Sequence, residues 1–536
     1  MNLHGLKACT LTCLLLSNAA VARSESVTTD LDVQVPSLPK GSASSKAPRN
    51  NADASVEAAC KAARVALGPD FVELSPVNQT VVHENWSQAC TSTPGCIIQP
   101  ADANAVSTSL GLFATYRVKF AVRSGGHSPN PGASSVDDTG ILLDMQRLNQ
   151  IQLSQDGSVV SLGPGARWGE VTNFLAAKGL AAVGGRVNSI GVGGLLVGGG
   201  MHFTSGEYGT GADNVKNFEL TPEGTTRRAM QIVLSNGSIV NASANTHEDL
   251  FWALKGGGPN FGVVTRYDVY TTEIPAIWIQ ASVYQINQSD MVLDAFYEWQ
   301  TGGGARDLKS TVSLYLSIDT IAVTLVYTEP SLRTPAAFAP FENLHPLQVA
   351  LPATNSTFGF LQQLQDSAFS SAPRRHDYRT ATSRMDAQLY KDTFRFWHQR
   401  AVRVHEETGA NQSYTLEHVS ANIAEQGVLK GGNAMNIPAE DHTWWETLVD
   451  WDNARDDETV RSVAVETTAE WDALAKARGL HLPFLYMNHA ARDQDPLASY
   501  GPENLARLRD VARKYDPVQM FQTLQNGGFL LSRTPA

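Results

Sequence analysis

The sequence has few cysteines, and their spacing does not match a metal site. Of the five, Cys9 and Cys13 fall in an apolar N-terminal segment, which leaves Cys60, Cys90 and Cys96 for the folded protein. These three form no Cys-X-X-Cys pair, and the chain has no His-Glu-X-X-His, so we expect no metal. In an oxidising compartment, three cysteines predict one disulfide and one free thiol, although the spacing does not decide which two pair.

Basic residues and long apolar runs are also scarce. The chain carries 41 Lys and Arg against 53 Asp and Glu, a net charge of −12, and it has no dense basic run. Because nucleic-acid binding needs a basic face, this composition argues against that class of partner. The N-terminal apolar run ends at Leu16 and is too short to span a bilayer, so we expect no membrane anchor.

The N-terminus has the pattern of an export signal. Lys7 precedes the apolar run and residues 20–22 match a cleavage site, which predicts a signal peptide over residues 1–22 and a secreted protein. The alternative is a buried N-terminal helix. Residues 23–54 are rich in Ser, Ala, Pro and Thr without a period, which predicts a disordered leader. Seven glycosylation sequons favour export, at Asn78, Asn85, Asn236, Asn241, Asn287, Asn355 and Asn411.

Glycine is concentrated in one short segment. Within residues 184–200 the glycines are Gly184, Gly185, Gly191, Gly193, Gly194, Gly198, Gly199 and Gly200. Glycine lets the backbone approach a ligand closely, and backbone N–H groups in such a loop can cradle a pyrophosphate. The strict G-X-G-X-X-G fingerprint fails, because its third glycine would fall on Leu196. An ordinary Rossmann fold is therefore not supported, and the alternative to a ligand site is a loop packed against another backbone.

Four further motifs accompany this glycine run. They are Arg123-Ser124-Gly125-Gly126-His127-Ser128 after a strand predicted at 118–122, Asp213-Asn214-Val215, the stretch D-L-F-W-A-L-K-G-G-G at 249–258, and Tyr486-Met487-Asn488-His489. The combination resembles the FAD-linked oxidases with a PCMH-type (vanillyl-alcohol-oxidase-like) FAD-binding domain. The likeness covers about Cys60 to Leu530 and is greatest to the berberine-bridge-enzyme-like branch in its secreted fungal form.

The resemblance implies an α+β fold. A two-part PCMH-type FAD-binding domain would combine residues 55–275 with a C-terminal, berberine-bridge-like segment, 486–536. Residues 276–485 would form a substrate-binding domain, an antiparallel sheet covered by helices. Alternation and helical spacing predict a half-exposed strand and two covering helices, at 321–327, 331–345 and 359–370.

The resemblance also implies a covalently held cofactor. In this family the histidine of R-S-G-G-H carries the flavin 8α-methyl group, and His127 matches it. Many members form a second link from a cysteine before the glycine run, where this chain has Val187, so a single covalent bond to FAD is implied. The other implied cofactor contacts are Arg123, Ser124, Gly125, Gly126, Ser128, Gly191, Gly193, Gly194, Gly198, Gly199, Gly200, Asp213, Asn214, Gly262, Val263 and Asn488.

Three residues are implied in catalysis: Tyr486, His489 and Glu446. Relatives often have Tyr-X-Asn-Tyr, whose last tyrosine acts on the substrate hydroxyl, and His489 replaces it here. A histidine can act as a base without a strongly perturbed pKa, or it can be a polar pocket wall. Relatives also place a Glu or Gln base on a strand that ends in a tryptophan, and aligning that residue with Trp451 selects Glu446. Neighbouring tryptophans should raise the pKa of Glu446 by desolvation, unless the carboxylate faces water.

One segment departs from the family. Residues 221–231 interrupt a stretch that in relatives runs straight into the strand at 231–234. Insertions are usually surface loops, and the alternative is an error in the gene model.

These features predict a secreted flavoprotein oxidase. A base would remove a proton from O–H or N–H while hydride leaves the adjacent carbon for the flavin, and O₂ is the expected electron acceptor. The first expectation for the substrate is an aromatic or polyketide-like secondary metabolite, which the aromatic residues Trp278, Tyr284, Trp397, Trp444 and Trp445 permit. The alternatives are an oligosaccharide or sugar oxidase, a secreted flavin-binding protein without turnover, and a binding module without flavin.

Overall fold

The computed structural model describes residues 51–216, 230–367 and 374–535. The expected signal peptide, most of the leader and most of the 221–231 insertion lie outside these ranges. The predicted end of the leader needs a correction, because a helix already begins at Asn51. Val56 and Ala63 of this helix are buried against the first sheet, so the register of the helix is set by packing.

The region before residue 276 is built from short strands and helices. Its described strands are β1 (Val72–Leu74), β2 (Cys96–Ile98), β3 (Lys119–Arg123), β4 (Gly140–Asp144), β5 (Ile151–Leu153), β6 (Val159–Leu162), β7 (Leu180–Ala181), β8 (Met230–Val233), β9 (Ile239–Ala242), β10 (Val263–Tyr270) and β11 (Thr272–Glu273). Its described α-helices are α1 (Asn51–Leu67), α2 (Gln79–Val82), α3 (Ala103–Tyr116), α4 (Trp168–Ala176), α5 (Val192–Val197), α6 (Ser205–Tyr208) and α7 (Glu248–Leu254).

These strands form two sheets and a ribbon. The first sheet has the order β1-β2-β4-β3, with parallel pairs on both sides of β4. The second has the order β5-β6-β10-β8-β9 and is antiparallel, and β7 pairs with β11. All five residues of β4 are buried, as expected for a short apolar strand inside a parallel sheet. The glycine-rich segment lies between the two sheets and the rest of the molecule.

The following region forms one large sheet with helices. Its described strands are β12 (Ile277–Gln285), β13 (Ser310–Leu316), β14 (Thr320–Tyr327), β15 (Gln348–Ser356), β16 (Arg375–Ser383), β17 (Asn411–Gln412), β18 (Tyr414–Val419), β19 (His442–Trp451) and β20 (His481–Leu482). Its described α-helices are α8 (Ser289–Thr301), α9 (Phe358–Asp366), α10 (Ala387–Thr408), α11 (Ala421–Leu429) and α12 (Asp457–Ala477). The strand order is β15-β12-β14-β13-β18-β19-β16-β20, with β17 beside β19, and all pairs are antiparallel.

The two faces of this sheet have different partners. Successive side chains of a strand point to opposite faces. Trp445, Val449 and Trp451 of β19 belong to the core that α8, α10 and α12 cover. Trp444 instead packs in the core of the N-terminal region. Glu446 shares the phase of Trp444 and so faces the N-terminal region. The predicted α+β fold with an antiparallel sheet is confirmed, but the expectation of helices on one face is wrong. Phe358 and Leu361 of α9 pack with Ile277 and Ile279 of β12, on the face opposite to Trp278.

The last segment returns to the first sheet. It carries α13 (Pro496–Ser499), α14 (Pro502–Tyr515) and α15 (Met520–Thr523). Met520 and Phe521 join the core of the first sheet. The Phe120 N–H of β3 donates to the Leu524 carbonyl, and the Asn526 N–H donates to the Phe120 carbonyl, so the C-terminus completes the edge of that sheet.

One predicted helix is wrong. Over 331–345 the structure has only a 3₁₀ turn, Ala336–Phe341, because Pro335 and Pro340 remove the N–H donors that a longer helix needs. The strand and helix predicted at 321–327 and 359–370 correspond to β14 and α9. Among the described helices, none is long and apolar enough to cross a membrane.

The cysteines follow the prediction of one bridge and one thiol. Cys60 of α1 bonds to Cys96 of β2, and Cys90 is free and buried. The Cys90 thiol donates to the Ser128 carbonyl, and burial raises its pKa to about 12, so this thiol is unreactive at neutral pH.

We predict that the double variant Cys60→Ala/Cys96→Ala loses about 3 to 4 kcal/mol of unfolding free energy, because the bridge closes a long loop in the unfolded chain. Denaturant titration measures this, and reducing the wild-type protein should reproduce most of the loss. The matched control Cys90→Ala removes a buried thiol but no bridge. A double variant as stable as this control would contradict the prediction.

Candidate active site

One cavity is lined by residues from all three regions of the fold. Its volume is about 850 Å³. One end is formed by the loops after β3 and around α5, and the other by β16, β19 and the loop after β20. Of the predicted site residues, those lining the cavity are Ser124, Gly125, Gly126, His127, Ser128, Gly191, Gly193, Gly194, Gly198, Gly262, Val263, Glu446, Tyr486, Asn488 and His489. Val187 lines it as well.

The two glycine motifs touch each other backbone to backbone. A Cβ atom added to Gly125 would lie 2.3 Å from the Gly191 nitrogen, and one added to Gly191 would lie 2.2 Å from the Gly125 nitrogen. Neither position has room for a side chain. The Ser124 hydroxyl secures the contact, because it accepts a hydrogen bond from the Gly193 N–H at 3.1 Å. For these glycines the alternative of a loop packed on another backbone is the correct one.

Gly194 forms an open wall of the cavity. A Cβ atom on Gly194 would meet no protein atom within 4 Å, although this residue lies in α5 and lines the cavity. Gly199 and Gly200 do not line it. They have φ values of +121° and +89° and turn the chain away, and the Gly200 N–H donates to the Tyr486 hydroxyl at 2.7 Å. Glycine is thus required here for a turn and for free space beside the cavity.

His127 lies in the cavity beside a group of aromatic rings. Its ring stacks on Trp86 at 4.4 Å between centroids, and Trp86 also stacks on His376 at 3.8 Å. The Tyr378 hydroxyl lies 3.4 Å from Nδ1 of His127. Burial, with smaller contributions from His376 and Arg167, lowers the pKa of His127 to about 3. The imidazole is therefore neutral at ordinary pH, which is the form able to bond to carbon.

Three residues expected at the cofactor are instead structural. Arg123 is buried behind the cavity wall, with an ion pair from Nη2 to Asp144 at 2.8 Å. The Asp213 carboxylate accepts hydrogen bonds from Thr210 and Asn433. The Asn214 side chain bonds to Lys430 and to carbonyls of its own loop. These three residues do not line the cavity, and neither do Gly199 and Gly200.

His489 and Glu446 line the cavity on the side of the sheet region, and Tyr378 contacts both His127 and His489. Nδ1 of His489 lies 2.5 Å from Oε2 of Glu446. Tyr486 meets the His489 ring edge to face at 4.8 Å. The Tyr486 hydroxyl already accepts hydrogen bonds from the Gly200 N–H and Asn488 Nδ2, and burial raises its pKa, so it is poorly suited to act as a base. The neighbouring Asn488 also donates to the Leu195 carbonyl.

The ionisation of Glu446 differs from the expectation. Burial alone would raise the pKa of this carboxyl, as the sequence suggests. The opposing effects of His489, by charge and hydrogen bond, and of the Arg186 charge are larger together and hold the pKa below its usual value. Glu446 is therefore an ionised partner of His489 at neutral pH.

The aromatic residues of the cavity are not those that the sequence suggests. Trp278, Tyr284, Trp397 and Trp445 pack in the core under the helices. Trp444 stacks behind Tyr486 at 4.7 Å. Aromatic rings that do line the cavity include Trp86, Tyr378 and Tyr486. Tyr378 of β16 lies on the same face of the sheet as Glu446 of β19. The sequence indicates this only when the register between β16 and β19 is known.

The sequons differ in accessibility. Asn78, Asn236, Asn287 and Asn355 are exposed, and Asn241 and Asn411 are half-buried. Asn85 is buried, with Nδ2 donating to the Cys90 carbonyl and Oδ1 accepting from Ser134. This packing leaves no room for a glycan on Asn85.

Comparison with known proteins gives consistent results. The sequence model of the FAD-binding domain family (FAD_binding_4) matches residues 94–243. A FAD-dependent monooxygenase of Arthrobotrys oligospora is 34% identical over 448 residues, which cover 84% of each chain. The bifunctional solanapyrone synthase of Alternaria solani is 31% identical over 452 residues, which cover 83% of each chain.

Solved structures with the same fold are more distant in sequence. The glucooligosaccharide oxidase of Acremonium strictum, with 6-S-cysteinyl, 8α-N1-histidyl FAD, superimposes with a TM-score of 0.69 at 16% identity, covering 89% of this chain and 98% of that one. A berberine bridge enzyme variant described as a reticuline dehydrogenase gives 0.70 at 17%, covering 88% and 98%. The 6-hydroxy-D-nicotine oxidase of Arthrobacter nicotinovorans gives 0.69 at 21%, covering 85% and 97%. At these identities the likeness shows the fold.

We predict opposite effects for two glycine substitutions. Gly125→Ala should destabilise the cofactor-free protein by about 2 kcal/mol or more, because the methyl group meets backbone. Gly194→Ala should keep or slightly raise its stability, since alanine favours a helix, but it should lower the flavin content by filling space beside the cofactor. Thermal unfolding and flavin absorbance per polypeptide measure both effects. Full flavin content in Gly194→Ala would show that FAD does not contact this wall.

Proposed function

Because this chain belongs to the FAD-linked oxidases with a PCMH-type FAD-binding domain, in the berberine-bridge-enzyme-like branch, we propose that it is a secreted oxidase carrying FAD on His127. It removes hydride from a small organic substrate, a secondary metabolite. The observation that carries the proposal is that His127 and the His489–Glu446 pair open onto the same cavity. His127 offers an attachment point and the His489–Glu446 pair offers a base.

The residues present fit a flavin nucleotide. The cavity is long enough to be lined from both the glycine run and the substrate sheet, and Gly194 leaves an open wall that any larger residue would fill. His127 would hold the cofactor, and its neutral ring suits a covalent bond. Val187 has no group that could form a second bond, which supports a single link. When bound, FAD accepts two electrons as hydride and passes them to an acceptor.

The His489–Glu446 pair supplies the proton chemistry. The ionised Glu446 holds Nδ1 of His489, so Nε2 is left to take a proton from a substrate O–H or N–H. The negative charge of Glu446 also stabilises the imidazolium that forms. We therefore propose His489 as the base and Glu446 as the group that orients it, roles that the sequence leaves open.

Two features support the substrate class and the location. The two relatives described above are by name a FAD-dependent monooxygenase of Arthrobotrys oligospora and a solanapyrone synthase of Alternaria solani, which favours a secondary metabolite. The disulfide between Cys60 and Cys96 suits an oxidising compartment and so supports secretion, together with the signal pattern of residues 1–22. O₂ is the proposed acceptor.

A sugar oxidase is the second candidate. The carboxylates of Asp366 and Glu446 line the substrate end, and carboxylates can accept hydrogen bonds from sugar hydroxyl groups. Anaerobic bleaching of the flavin by matched panels of oligosaccharides and aromatic alcohols separates the two candidates. Hydrogen peroxide release and the product mass then distinguish an oxidase from a monooxygenase, which adds an oxygen atom.

We predict that acid-denatured wild-type protein retains yellow flavin and that His127→Ala loses it. The reason is that His127 occupies the position that the family uses for the link, and its ring is neutral. Absorbance of the washed precipitate measures the retained flavin. His376→Ala serves as the control, since His376 contacts Trp86 and not the expected link. Flavin retained in His127→Ala would refute the attachment.

We predict that Glu446→Gln lowers the rate of flavin bleaching about 10²-fold or more, because the amide cannot stabilise the imidazolium. His489→Gln should have an equal or larger effect, and both variants should keep their FAD. For the wild type, the rate should fall on the acid side as the pair takes up a proton. Glu466→Gln, which removes a carboxylate from the surface of α12, is the control. Unchanged bleaching in both site variants would remove the pair from the mechanism.

A further inference from the structure

Residues 184–191 form the first part of the glycine-rich segment, and this loop contacts the region of the large sheet. The Gly185 carbonyl accepts a hydrogen bond from Gln362 Nε2 of α9 at 2.7 Å. The Arg186 guanidinium makes a two-pronged ion pair with Glu417 of β18, with N–O distances of 2.8 and 3.2 Å. Since α9 and β18 belong to the sheet region, this loop ties the two regions together at the edge of the cavity.

The partner of Arg186 lies beside the proposed base pair. Thr415 of β18 is directly opposite Glu446 of β19, and Glu417 is two residues further along the same face. One carboxylate oxygen of Glu417, one of Glu446 and a ring nitrogen of His489 all lie within 4.8 Å of one another. Two carboxylates at this separation repel each other, and without a cation one of them would take up a proton at a higher pH.

The titratable and charged groups around Glu446 come from four elements. His489 and Tyr486 come from the loop after β20, Glu417 from β18, Tyr378 from β16 and Arg186 from the 184–191 loop. In this set Arg186 is the one permanent positive charge. Burial would lower the pKa of Arg186, but the charges of Glu417 and Glu446 outweigh it and raise that pKa, so the guanidinium stays charged.

We propose that Arg186 is a positioning residue for the base: by neutralising Glu417, it keeps Glu446 ionised and available to His489. This inference rests on the proposed function, because it concerns the same base pair. The arrangement makes the base depend on contact between the two regions, since Arg186 comes from one and both carboxylates come from the other. If the ion pair between Arg186 and Glu417 breaks, Glu446 takes up a proton. His489 then loses the negative charge that orients it.

The test uses the flavin-loaded protein and reads the proton on Glu446 directly. Infrared difference spectra between pH values show the carbonyl band of a protonated carboxyl group, and loss of this band in Glu446→Gln assigns it. The variants are Arg186→Gln, Arg186→Lys, Arg186→Gln/Glu417→Gln and Gln362→Met. The last removes the neighbouring anchor of the same loop and changes no charge.

We expect Arg186→Gln to protonate Glu446 at higher pH. At the pH where half of Glu446 is protonated in the wild type, the protonated fraction should rise to about nine tenths. Arg186→Lys and the double variant should return towards the wild-type value, because each restores the charge balance around Glu446. The bleaching rate of Arg186→Gln should fall up to about threefold more at pH 5 than at pH 8, where Glu446 is ionised in both proteins.

Two results would overturn the proposal. One is an unchanged pH dependence of the Glu446 band in Arg186→Gln. The other is an equal shift of this pH dependence in Gln362→Met, which would assign the effect to the loop and not to the charge. If Arg186→Gln fails to fold, Glu417→Gln alone gives the test, because the remaining guanidinium should displace the band towards lower pH. The infrared result needs no turnover, so failure to find a donor would count against the proposed function and leave this inference standing.

Discussion

The contact between Gly125 and Gly191 is the constraint on which the cavity depends. Two backbone segments separated by many residues meet without a side chain between them, and the Ser124 hydroxyl bonds across the junction to Gly193. This contact sets the distance between the loop that carries His127 and the wall that carries Gly194. A larger residue at either glycine would separate the two loops, and the cavity would lose its shape before any contact with a ligand was affected.

The cavity then combines two electrostatic environments. Around His127 burial and nearby positive partners favour a neutral ring. Around Glu446 burial acts in the opposite sense to its neighbours, and the nearby positive groups prevail. Burial thus favours the neutral form of both groups. His127 is neutral, whereas Glu446 is ionised because the positive groups around it outweigh the effect of burial. The alternation of β19 makes this arrangement compatible with a core, since Trp445 and Glu446 point to opposite faces.

Much of this architecture could be predicted from sequence, because local motifs carry strong signals. The family assignment, the α+β fold, the disulfide count and the cavity positions of His127, Glu446 and His489 are of this kind. The helix at 331–345 was wrong because two prolines outweigh its apolar spacing. Asp213 and Asn214 were assigned to the cofactor because they follow the glycine run, yet they satisfy their own loop. Trp86, Tyr378 and Arg186 were missed because they meet the site only through strand register and long-range packing.

The return of the C-terminus to β3 has a consequence for biosynthesis. The edge of the first sheet is completed by hydrogen bonds between Phe120 and residues near Leu524, and its core by Met520 and Phe521. Phe120 is synthesised long before residues 520–526, so the nascent chain exposes an unfinished sheet while the intervening residues are made. The first sheet is therefore closed only once residues 520–526 are available. Loss of residues 520–526 would leave this sheet open, however far they lie from His127 in sequence.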